Sequence, residues 1–164
     1  MNFNFKIADK QQLQELFTIL FDILYQNMGE EYLGGNSYEE NYNSWICEVR
    51  PAMEKSARQI ILMYCNNALA GFFQYYVNSE TFMMEEMQIK KEFQGSGIFS
   101  RLYSWLLPRL PQNTPFVEAY THKGNTHSQA ILNHLGLTMC NDENEKFSHF
   151  KGEFKNLLSK YTNK

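Results

Sequence analysis

Residues 81–121 constrain the fold of this 164-residue chain more than any other stretch. "TFMMEEMQI" reads as a strand; it passes through the charged turn "KKEF" and the loop Gln94-Gly95-Ser96-Gly97. An apolar helical run follows over residues 97–107, ended by Pro108, and "TPFVEAYT" reads as the next strand. Two strands joined through a helix lie parallel in one sheet, and such crossovers are right-handed. This step alone predicts an α/β sheet.

The flanking segments extend that sheet. "NFNFKIA" alternates, with Phe3, Phe5 and Ile7 on one face, and predicts a first strand. Asp9 is placed to cap a helix whose Leu13, Leu16, Phe17, Leu20, Phe21 and Leu24 recur at helical spacing. "GEEYLGGNS" predicts a loop punctuated by Gly34 and Gly35. Tyr38, Tyr42, Trp45, Ile46 and Val49 form a second helical stripe, which Pro51 is expected to break or kink, with a short turn from Met53 to Ala57. "QIILMYC" and "LAGFFQYYV" flank Asn66-Asn67 and predict a hairpin. "NTHSQAILNHLG" predicts a helix capped by Asn125 and stopped by Gly136. "LTMCN" and "KFSHFKGEF" predict a closing strand pair around an acidic turn, and "KNLLSKYTNK" a short helix or a frayed tail. The order is strand, two helices, three strands, helix, strand, helix, two strands. It predicts a mixed sheet with helices on both faces, in one domain spanning 1–164.

Composition removes several function classes. Hydrophobic residues at 43% and aromatics at 15% supply a core and argue against disorder. A net charge of -3 provides no basic field for a nucleic acid. Cys47, Cys65 and Cys140 are scattered and odd in number, which fits a reducing, cytoplasmic setting and a buried, apolar role for each. The N-terminal segment lacks the apolar core of a signal peptide, and no apolar run is long enough to span a membrane. His122, His127, His134 and His149 lack metal-ligand spacing; surface roles and no metal are expected.

The two glycines around Ser96 point to an anion. A helix start presents unpaired amides and partial positive charge, and phosphates bind there. Gly95 and Gly97 let the main chain turn sharply and come close, while Ser96 and Ser100 add hydroxyls and Gln94 an amide. No Gly-Lys-Ser/Thr follows, so the Walker loop is absent; the dinucleotide pattern fails because position 100 is serine. A glycine-rich turn with no ligand is the bland alternative.

"QGSGI" (Gln94, Gly95, Ser96, Gly97 and Ile98) resembles the acyl-CoA loop of the GCN5-related N-acetyltransferase family, with Phe99 where the family has Gly or Ala. "MQIKKEF" is similar to the family's strand end and charged turn. One crossover later, Asn125, Ser128, Leu135 and Gly136 in "NTHSQAILNHLGL" fit the second segment, with Leu132 in place of the family's tyrosine and Leu137 in place of its phenylalanine. The element order fits as well, so the resemblance covers most of the chain.

The resemblance implies the acyl-CoA N-acyltransferase fold, a mostly antiparallel sheet of about seven strands whose fourth strand splays from the fifth. It implies acetyl-CoA as cofactor, released as CoA. The backbone at Met87 and Ile89 would hold the pantetheine arm, with Gln88 between them; the Met87 amide would face the thioester carbonyl as an oxyanion donor. The pyrophosphate would rest on the amides from Gly95 to Ser100, with Asn125 and Ser128 nearby. The reaction implied is direct attack by a primary amine of a small molecule or peptide, and the amine must first lose a proton. Glu85, Glu86 and Glu118 are the candidate bases, and the alternative is solvated strand residues. Leu132 cannot protonate a leaving thiolate, which leaves a water, Tyr120, His127 or no acid. A catalytically silent acyl-CoA-binding module and a structural interaction domain are the competing readings, and a homodimer fits families of this kind. Glu30, Glu31, Glu39 and Glu40 read as a solvated acidic face that could also attract a cationic amine; Phe72, Phe73, Tyr75 and Tyr76 read as sheet packing.

Overall fold

The Asn66-Asn67 pair turns the chain as a two-residue hairpin loop requires. Both residues take left-handed backbone angles, φ 50° and 67°, a conformation that asparagine tolerates better than most residues. The flanking strands, β2 (Gln59–Cys65) and β3 (Ala68–Val77), are buried along most of their length. The computed structural model describes residues 1–162 except 33–35, 56 and 142–143, with the side chains of 30–32 also outside the description.

The remaining elements are β1 (Phe3–Ile7), α1 (Lys10–Tyr32), α2 (Tyr38–Lys55), β4 (Thr81–Ile89), α3 (Ile98–Leu106), β5 (Phe116–His122), α4 (Thr126–Leu135), β6 (Thr138–Met139), β7 (Phe147–Glu153) and α5 (Phe154–Thr162). Short 3-10 turns occupy Lys91–Phe93 and Leu107–Arg109, the second carrying Pro108. The order is the expected one, closed by a helix at the C-terminal tail. The strands form a seven-stranded mixed sheet in the order β1-β2-β3-β4-β5-β7-β6. The expected parallel step is β4 to β5, registered from Thr81–Phe116 to Met84–Ala119.

The chain divides into two compact units, Met1–Gln74 with Glu86–Ile98, and Tyr75–Glu85 with Phe99–Lys164. In the first, the Asp9 side chain accepts from the Gln11 amide at 3.0 Å and starts α1 as expected. Leu13, Phe17, Leu20, Phe21 and Leu24 are buried, with Leu16 partly so. Gly29, at φ 70° and ψ 178°, interrupts α1 where the loop was expected to begin. Gly34 and Gly35 lie outside the described residues. Against α1, Ile46, Val49 and Met53 of α2 are buried.

Pro51 does not end α2, which continues to Lys55. Pro51 has no amide to give the Cys47 carbonyl four residues earlier, and both residues lie on the exposed side of the helix, away from the buried stripe. Cys47 is accordingly exposed, contrary to the expected buried role, because it falls off the Ile46–Val49–Met53 stripe; Cys65 is buried and Cys140 half-buried.

In the second unit, the alternation of β5 buries Val117, Ala119 and Thr121 and leaves Phe116, Glu118, Tyr120 and His122 on the open face. β7 pairs antiparallel with β5, setting Glu153, Lys151, His149 and Phe147 opposite those four. The buried side packs Phe82, Phe150, Phe154 and Tyr103, with Tyr75 and Phe154 edge-on to Phe82 at 5.7 and 6.1 Å. Asp142 and Glu143 of the expected acidic turn lie outside the described residues. No described helix is long and apolar enough to cross a membrane.

Candidate active site

In the first unit, the end of β4 leads into the glycine turn. Gly95 and Gly97 take φ 74° and 81°, left-handed values that strain any residue with a Cβ. A Cβ at either position would meet nothing within 4 Å. The loop is therefore held open by backbone conformation and leaves space beside it. The Ser96 hydroxyl is buried and has no hydrogen-bond partner. A buried orphan hydroxyl is costly unless a ligand completes it, which fits a phosphate group at this turn.

The strand end beside it is tightly bonded. Asn27 Nδ2 donates to Gln88 Oε1 and to the Ile89 carbonyl, both at 2.9 Å. Gln94 Nε2 donates to the same carbonyl at 3.0 Å, so its amide ties the turn to the strand. Gln88 Nε2 donates to Glu86 Oε1 at 2.6 Å. Met87, between Glu86 and Gln88, is half-buried. β3 approaches this strand so closely that a Cβ on Gly71 would lie 2.1 Å from the Gln88 carbonyl oxygen.

In the second unit, Phe99 lies along its own helix with its ring 6.2 Å from Tyr103, and Ser100 is exposed. Asn125 caps α4 by accepting from the Ser128 amide at 3.0 Å, and Gly136 ends it at φ 92°. Leu132, at 8% exposure, is buried and used for packing.

The β4–β5 ladder ends at Met84–Ala119, while both strands run on. The next residues, Glu85 and Tyr120, line a cavity of about 310 Å³ with Tyr76, Met83 and Met84. Glu118, one register step back, is engaged: His149 Nε2 is 2.7 Å and Lys151 Nζ 3.5 Å from its carboxylate. Partial burial pushes this carboxyl up, but the His149 hydrogen bond, the Lys151 charge and the Thr81 hydroxyl outweigh it and hold its pKa below the ordinary value. The His149 ring stacks on Tyr120 at 4.5 Å and 8°. Lys151 lies 3.8 Å from the Phe116 ring centroid. Burial raises the Tyr103 phenol, whose hydroxyl donates to Met84 Sδ at 3.3 Å.

No family model and no curated protein matches the sequence. Solved structures match in fold. An acetyltransferase from Thermus thermophilus covers 93% of this chain and 97% of its own at 12% identity, TM-score 0.66. PaiA N-acetyltransferase from Thermoplasma acidophilum, in complex with coenzyme A, covers 93% and 99% at 12% identity, TM-score 0.66. A chimera of the Vibrio cholerae spermidine N-acetyltransferase SpeG with hSSAT covers 96% and 99% at 12% identity, TM-score 0.65. The fold is that of the GCN5-related N-acetyltransferases.

Within this N-acetyltransferase fold, the three candidate carboxylates have different surroundings. Glu85 is on the cavity wall, Glu86 is bonded to Gln88, and Glu118 to His149 and Lys151. Glu39 and Glu40 are exposed, and Glu40 Oε2 accepts from Ser37; the side chains of Glu30 and Glu31 lie outside the description. Sequence reading missed Asn27, Tyr76, Met83 and His149. His149, expected at the surface, keeps only 16% of its side chain exposed because it bonds Glu118. The alternation of "FSHFKGE" places His149 on one face with Phe147 and Lys151, and pairing that face with β5 would have found it. Asn27 carries no such signal, because its partners are more than 60 residues away.

Proposed function

We propose that this protein is an acetyl-CoA-dependent N-acetyltransferase that acylates a primary amine of a small molecule or peptide by direct attack. The buried, unpartnered Ser96 hydroxyl between two left-handed glycines carries the reading, on a fold whose solved neighbours include proteins in complex with coenzyme A. Acetyl-CoA would supply an activated acetyl thioester. Gln94, Gly95, Ser96, Gly97, Ile98, Phe99 and Ser100 would hold its pyrophosphate, chiefly through main-chain amides at the start of α3. Met87, Gln88 and Ile89 would flank its arm, and the Met87 amide would act as oxyanion donor. Asn125 and Ser128 would contribute through the α4 start that they cap.

The chain's own chemistry is proton handling. Glu85 would take the amine proton, since it is the candidate carboxylate among the residues that line the cavity. A thiol pKa of about 8.5 makes an acid optional near neutral pH, which accommodates Leu132. Isothermal titration with acetyl-CoA, followed by a thiol-release assay over a panel of amines, tests the reading. Binding with release is expected. No binding at millimolar cofactor overturns it, and binding without release leaves the silent module.

A further inference from the structure

We propose that the cavity of the second unit is the acceptor site and that it selects a small cationic amine carried on a flat aromatic body. The inference rests on the acetyltransferase reading and deepens it. The cavity opens at the end of the β4–β5 ladder, where the first residues beyond the last pair are Glu85 and Tyr120. Its lining includes one carboxylate, two tyrosines and Met83; Met84 borders it too, but its thioether turns to the core, where Sδ accepts from the Tyr103 hydroxyl. A carboxylate there favours an ammonium and disfavours an amine that also bears an anion. Tyrosine faces attract cations and stack on planar groups, and methionine thioethers adapt to rings.

Tyr120 is 49% exposed, a large aromatic surface left open to solvent. Its orientation is nonetheless fixed, because His149 stacks on it and Glu118 holds His149 at 2.7 Å. Glu118 and His149 are thus positioning residues for an aromatic wall. Lys151, opposite Glu118 on the same sheet face, is 3.5 Å from that carboxylate, so its charge is locally balanced. The volume, about 310 Å³, is at the lower end of small-molecule sites. It suits one compact amine rather than several residues of a peptide.

The test follows thiol release by the intact protein with acetyl-CoA and three amines: 2-phenylethylamine, spermidine and phenylalanine. The kcat/KM for 2-phenylethylamine is expected to exceed each of the others by at least about tenfold, roughly 1.4 kcal/mol of discrimination. Tyr120→Leu should erase that preference and Tyr120→Phe should keep it. His149→Asn should raise KM for 2-phenylethylamine several-fold with kcat little changed, a split between KM and kcat that a purely structural role would not produce. Equal or better use of spermidine or phenylalanine overturns the inference and leaves the acetyltransferase reading standing. Acetyl-CoA binding without transfer to any amine overturns the acceptor assignment. Absence of acetyl-CoA binding overturns the underlying reading as well.

Discussion

At the scale of single residues, Glu118 shows how an ionisable group on an open sheet face becomes structural. It lies opposite Lys151 and diagonal to His149, a cross-strand arrangement that stabilises paired strands. Its folded-state pKa is below the ordinary value near 4.5. Ionised Glu118 therefore stabilises the fold above about pH 4.5, and the contribution is lost as pH falls through the lower folded value. The melting-temperature difference between wild type and Glu118→Gln should shrink as pH falls below about 4.5. A difference that grows on acidification would contradict the assignment. Gly97 makes the complementary point about the main chain. At φ 81°, Gly97→Ala adds no clash but places a Cβ in the left-handed region, at about 1–2 kcal/mol. Urea denaturation should show a loss of that size.

At the scale of elements, β3 and β4 meet across Gly71. A Cβ there would lie 2.1 Å from the Gln88 carbonyl oxygen and 3.0 Å from Ile89 Cα, both backbone atoms that cannot rotate away. Gly71→Ala should cost about 1–3 kcal/mol or more through strand displacement and weaken acetyl-CoA binding along with it, since Met87 to Ile89 shift. Denaturation and titration of the same variant check both. The Asn125 cap is a smaller effect: Asn125→Ala should cost about 1 kcal/mol. Features legible in the sequence were those set by neighbours in the chain: the Asn66-Asn67 turn, the Asp9 and Asn125 caps, and the alternation of β5 and β7. The expected break at Pro51 does not occur: the helix runs on to Lys55, with Pro51 on its exposed side and Ile46, Val49 and Met53 buried, a placement that packing and not the local sequence decides. The contacts of Asn27, Tyr76 and His149 depend on pairing and packing across long sequence separations, so local patterns do not contain them.

At the scale of the molecule, the cofactor reading makes a thermodynamic prediction independent of catalysis. A ligand that binds only the folded chain stabilises it by RT ln(1 + [L]/Kd), about 2.7 kcal/mol at a hundredfold excess over Kd. For a chain of 164 residues that corresponds to a rise in melting temperature of roughly 5–10 °C. Acetyl-CoA should produce it, and CoA should as well, because both carry the pyrophosphate that the glycine turn is proposed to hold. Gly97→Glu should abolish the rise by setting a carboxylate beside that anion. It will also lower the melting temperature of the unliganded protein, because position 97 has φ 81°. The informative quantity is therefore the ligand-induced shift in each protein, not the absolute melting temperature. An undiminished shift in Gly97→Glu would place the pyrophosphate away from Gly95, Ser96 and Gly97 and leave the buried Ser96 hydroxyl without its proposed partner.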